Sequence, residues 1–188
     1  MINSITKWIT NNIKTNMEYD EIYFAVKVIL FTILHFGTIV LVSLIFHQLL
    51  NGIIFSFLYI ILRSYAGGFH MNTSKKCYLF SLLIFTLVIV VMKGNYIFLY
   101  KEIYLYIAFP IAFIIIFFLS PVDNKNKRLD NAEKSMFKKI TRIILLIYGL
   151  VFALMCYFEF ISIASIIVIT IILESILLLI GTISNSLA

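Results

Sequence analysis

A histidine, a cysteine, a Gly-Gly pair and three cations crowd into one polar break between two apolar segments, the fifteen residues Arg-Ser-Tyr-Ala-Gly-Gly-Phe-His-Met-Asn-Thr-Ser-Lys-Lys-Cys from Arg63 to Cys77. These residue types can do thiol chemistry. A cysteine attacks a carbonyl as the thiolate, and a free thiol is mostly protonated near neutral pH. Three local features favour the thiolate of Cys77. Lys75 and Lys76 are adjacent cations, and His70 can serve as base and imidazolium partner. Thr73 or Ser74 can cap a following helix, which puts Cys77 in a first turn where the backbone dipole stabilises an anion.

Spacing decides between two geometries. In one straight helix, the seven steps from His70 to Cys77 would separate them by roughly 10 Å along the axis, too far for proton transfer. A helix that begins at Thr73 or Ser74 leaves His70 on the preceding turn, free to fold back onto Cys77. Gly67 and Gly68 permit the backbone angles such a reversal needs. Each ingredient also has a plainer use: a His near a Cys as boundary or packing residues, a Gly-Gly pair as a loop hinge.

The elements that must position this break are set by composition. Apolar residues make up 62% of the 188 positions and charged residues 13%, and the mean hydropathy is +1.05. Soluble domains carry about 25% charge, so the chain reads as an all-α, polytopic integral membrane protein. The polar, Asn/Thr-rich start argues against a cleavable signal peptide. Cys77 and Cys156 lie in different segments and do not suggest a disulfide framework.

Six apolar stretches are predicted, at 22–47, 52–62, 78–92, 103–119, 142–158 and 160–182. A crossing needs ~20 apolar residues, with ~17 the usual lower limit. The first, fourth, fifth and sixth read as full crossings. The pair at 52–62 and 78–92 is short. It crosses only by drawing in polar neighbours; otherwise it forms a re-entrant pair around the His/Cys turn. Residues 1–17 form a separate element, either an interfacial amphipathic helix with Ile5, Trp8, Ile9 and Ile13 on one face or a frayed polar terminus. Residues 18–188 form one transmembrane domain, with loops at 63–77 (the reactive one) and 120–141 (the basic one).

If all six stretches cross, every Lys and Arg except Lys93 and Lys101 falls on the side of the N-terminus, 63–77 and 120–141. By the positive-inside rule that side is cytoplasmic, where a free thiol persists. The basic loop, with Lys125, Lys127 and Arg128 among its cations, is explained by anchoring at anionic lipid. Arg63 has three uses open to it: gripping a substrate carboxylate, orienting the His70 turn, or snorkelling to the surface. Glu174, mid-way along the last stretch, should face the bundle interior or a partner helix. His35 reads as bundle-facing, His47 as an outer-boundary residue and Cys156 as a small hydrophobe. The three histidines sit at different depths, so no metal site is expected.

The stretch Arg63, Ala66, Gly67, Gly68, Phe69, His70 and, seven residues on, Cys77 resembles the signature of the accessory gene regulator B (AgrB) family of membrane cysteine peptidases. Ser120-Pro121-Val122-Asp123, opening the basic loop, resembles that family's small-Pro-x-acidic motif. The resemblance implies His70 as general base and Cys77 as nucleophile, with Gly67, Gly68 and Arg63 supporting the turn. It implies cleavage of the C-terminal tail from a small AgrD-like propeptide, an acyl-enzyme on Cys77, and cyclisation to a thiolactone or lactone quorum-sensing signal. It further implies attraction of the acidic propeptide by Lys75, Lys76, Lys125, Lys127 and Arg128, at the cytoplasmic face of a bacterial plasma membrane, without a cofactor. Lipid is the other expected partner, nucleic acid is not, and a homodimer is allowed. The competing class is a non-enzymatic transporter or channel subunit with Glu174, His35 and Arg63 along a path. No inverted repeat supports it.

Overall fold

Capping residues set where the helices begin. In the computed structural model, which describes residues 2–12, 18–69, 71, 73–94, 102–123 and 129–186, these residues form seven helices: α1 (Ile2–Asn12), α2 (Tyr19–Ile45), α3 (Leu49–Ala66), α4 (Ser74–Lys93), α5 (Glu102–Leu119), α6 (Asn131–Tyr157) and α7 (Ile161–Ser186). Glu18 opens α2, its amide donating to Glu21 Oε2 at 3.1 Å. Asp130 opens α6 reciprocally: its Oδ1 accepts from the Glu133 amide at 2.7 Å, and its own amide donates to Glu133 Oε2 at 3.2 Å. Each arrangement satisfies amides that a helix start leaves without partners.

The helices pack as two groups sharing α3. On one side α7 packs against α3, α5 and α6; on the other α2 packs against α3 and α4, with α1 lying on α2. The larger core joins Leu62, Leu105, Ile116, Leu145, Ile167, Ile171 and Leu178. The smaller joins Ile39, Phe55, Phe85, Ile89 and Ile166. Around both runs a belt of exposed apolar side chains, including Ile33, Leu41, Leu83, Phe118 and Leu146. Water does not wet such a surface cheaply, and hydrocarbon covers it. Five helices are long and apolar enough to cross: α2, α3, α4, α6 and α7. The protein is a multi-pass, all-helical membrane protein.

The short pair of the sequence reading becomes two full-length helices. α3 has 18 residues and α4 has 20, which at ~1.5 Å per residue spans roughly 27 and 30 Å. Asn51, Ser64 and Tyr65 extend the first, and Lys75 and Lys76 the second. Helix ends answer to caps and backbone hydrogen bonds, whereas an apolar count stops at the first polar side chain. The stretch at 103–119, expected to cross in full, carries the shorter apolar run Leu105–Leu119. At the N-terminus Ile2–Asn12 is helical, with Thr6 buried and Trp8 exposed. Residues 13–17 lie outside the described residues.

Candidate active site

Cys77 sits in the first turn of α4. Thr73, with extended backbone angles, is the N-cap, and its side-chain oxygen accepts from the Lys76 amide at 3.3 Å. The Cys77 amide donates to the Thr73 carbonyl at 2.9 Å. The helix therefore starts inside the break, at Ser74, as the second geometry requires, and Thr73 is the residue that caps it. Lys75 and Lys76 are exposed beside the half-buried thiol.

Cys77 opens onto a cavity of about 130 Å³ between α2, α3 and α4. Its deeper wall is apolar, with Ile39, Phe55, Ile84 and Phe85; Phe69 and Met71 close the side toward the break. His35 lines the same cavity from α2, its ring edge-on to Tyr78 with centroids 6.0 Å apart.

The turn between α3 and α4 is clamped from three directions. Gly67 and Gly68 have φ of 76° and 106°, a region L side chains rarely occupy. A Cβ at Gly67 would strike the Val122 carbonyl, and one at Gly68 the Arg63 guanidinium and the Leu177 carbonyl. From the α5–α6 connection, Val122 forms a parallel bridge with Gly67: its amide donates to the Ala66 carbonyl at 3.0 Å, and its carbonyl accepts from the Gly68 amide at 3.1 Å. From α7, the Leu177 carbonyl accepts from the Phe69 amide at 3.1 Å. That approach depends on Gly181, where a Cβ would come within 2.7 Å of the Phe69 nitrogen. The third restraint comes from α3 itself. Arg63 donates to the carbonyls of Gly67 and Phe69 and pairs with Glu174 of α7.

Of the residues expected to act, the structure brings together Cys77, Arg63, Gly67 and Gly68. His70, Lys125, Lys127 and Arg128 lie outside the described residues. Arg63 donates to two carbonyls of the turn, and its side chain is 14% exposed. Glu174 faces the interior as expected, wholly unexposed, 3.3 Å from Arg63. Cys156 packs against the large apolar core. Sequence reasoning missed the Arg63–Glu174 pairing and the roles of Val122, Leu177 and Gly181. The first had a signal: a lone carboxylate and a lone cation in neighbouring apolar segments need each other. The backbone contacts had none.

No solved structure matches this chain significantly. It is similar to two AgrB-like proteins from Clostridium perfringens, one from strain SM101 and one from strain 13, each 28% identical over 158 residues that cover 79% of this chain and 74% of the relative. A family model described as accessory gene regulator B matches residues 2–178. With a match of that extent, laid over a multi-pass bundle, the chain belongs to the accessory gene regulator B family and has its role in that regulatory system.

Proposed function

We propose that the protein is a membrane cysteine endopeptidase that removes the C-terminal tail of a small propeptide and cyclises what remains. The observation that carries this reading is the placement of Cys77, on the first turn of a Thr73-capped helix at the mouth of an apolar cavity whose wall includes Phe69, the residue before His70. The propeptide reaches the site from the cytoplasm, where the clustered cations around Lys75, Lys76 and the 124–128 segment attract its acidic tail.

His70 takes the proton from Cys77 as Sγ attacks the scissile carbonyl carbon. The C–N bond breaks, the leaving amine takes that proton, and the tail departs. The acyl group stays on Sγ as a thioester. An internal thiol or hydroxyl of the propeptide, giving its proton to His70, then attacks the same carbonyl, closes the ring and returns Cys77 as the thiolate. Exchange between thioesters conserves acyl energy, provided water does not arrive first, and the apolar cavity wall serves that end.

Co-expression with a short propeptide encoded beside this gene tests this reading. Cys77→Ala and His70→Ala should each lower tail release to background, while Cys156→Ala should process normally. Release by both dyad variants would sink the assignment.

A further inference from the structure

α7 carries a single charged side chain, Glu174, in a run of 26 residues. It is wholly buried, and its carboxylate meets the Arg63 guanidinium of α3. It does not line the cavity that Cys77 opens onto. Whatever it contributes to that site must pass through Arg63.

We propose that Glu174 is a positioning residue: by neutralising and orienting Arg63 it holds the Gly67–Phe69 turn, and with it the Phe69 wall of the cavity onto which Cys77 opens. The inference rests on the dyad reading above. A lone guanidinium at this depth would extend its stem toward the surface to keep its charge hydrated. Doing so would abandon the two turn carbonyls it now serves, those of Gly67 and Phe69. The Glu174 carboxylate removes that incentive. One of its oxygens takes Arg63; the other, Oε2, is buried with no partner among the described residues. A carboxylate left half-satisfied in hydrocarbon is costly, and here its cost is tied to keeping Arg63 turned inward. The Leu177 carbonyl, one helical turn further along the same helix, grips the Phe69 amide. α7 thus reaches the turn twice, by charge through Arg63 and by backbone at Phe69.

Among the described residues, the chargeable groups around Cys77 are His35 from α2, Tyr59 and Arg63 from α3, and Lys75, Lys76 and Tyr78 on its own helix. The test reads the thiol directly, without a propeptide. In vesicles carrying the Cys156→Ala protein, Cys77 is the only thiol, and its rate of alkylation by iodoacetamide at neutral pH reports thiolate formation. Glu174→Gln and His70→Ala should slow alkylation by a similar factor, roughly 10- to 100-fold. Glu174→Asp, which keeps the charge, should recover part of the rate. Arg63→Gln/Glu174→Gln should be no slower than Arg63→Gln alone, because the two residues act in series. A parent rate in Glu174→Gln, with His70→Ala slow, would overturn the proposal, as would fully multiplicative losses in the double variant. Should Glu174→Gln fail to accumulate, the neutral double variant still decides, since a parent rate there overturns the proposal and an Arg63→Gln rate supports it. A parent rate in His70→Ala would instead remove the dyad reading, and this inference with it.

Discussion

Arg63 is a cation inside a hydrocarbon bundle, and each of its acceptors is a group that would otherwise be short of a donor. Two are carbonyls of a turn too irregular to bond itself, and the third is a carboxylate with no access to water. Removing one charge strands the other. Glu174→Leu should therefore destabilise the bundle by about 3–5 kcal/mol, read as a lowered midpoint of thermal unfolding in detergent. Arg63→Leu/Glu174→Leu should regain much of that stability without regaining tail release. At Gly68 a side chain meets both the wrong φ and occupied space; Gly68→Ala should cost ~1–3 kcal/mol in local strain, and tail release should fall far more than membrane accumulation does. Equal losses in both would make the glycine a folding residue only. At this scale Cys77, Gly67 and Gly68 were legible from type and spacing. Glu174 was legible only as a buried carboxylate, because helical periodicity says which way a side chain faces and not which helix it meets 111 residues away.

The element that matters most is the first turn of α4. Its cap, Thr73, holds the amide of Lys76 and leaves Cys77 where the helix dipole favours an anion. Thr73→Val should cost about 1 kcal/mol of helix stability and slow iodoacetamide capture of Cys77 several-fold, whereas Thr73→Ser should behave as the parent. An unchanged capture rate in Thr73→Val would mean that the cap does not act on the thiol. The expected helix start was readable because a cap has a side-chain signature. The extent of α3 and α4 was less so: their ends lie in polar residues whose backbone still satisfies itself helically. The bridge between Gly67 and Val122 was not readable at all. It is built from main-chain groups, which every residue type shares.

For the whole molecule, the ends of α3, α5 and α7 meet the starts of α4 and α6 on one side, tied by the turn, by Asn185 on the Asp123 carbonyl at 2.8 Å and by Lys134 on Asp123 at 2.6 Å. The opposite end holds Lys93 over the Phe46 ring, 5.4 Å from its centroid. From the charge asymmetry we propose that the first side faces the cytoplasm. In intact cells a membrane-impermeant maleimide should then spare Cys77 and label Tyr157→Cys, placed in a Cys77→Ala/Cys156→Ala background, because Tyr157 stands 80% exposed at the far end of α6. Labelling of Cys77 from outside would reverse the orientation.

The clamp on the turn also has an order in time. The cavity walls come mainly from α2, α3 and α4, but the carboxylate for Arg63 and the carbonyl for Phe69 come from α7, which leaves the ribosome after all three. A nascent chain thus carries its thiol in the membrane well before it can hold the turn beside it. Stopped short of Ile161, the chain keeps every wall of the cavity except Leu177 and lacks both α7 restraints. The thiol is thus in place early, and the turn beside it gains its last restraints late.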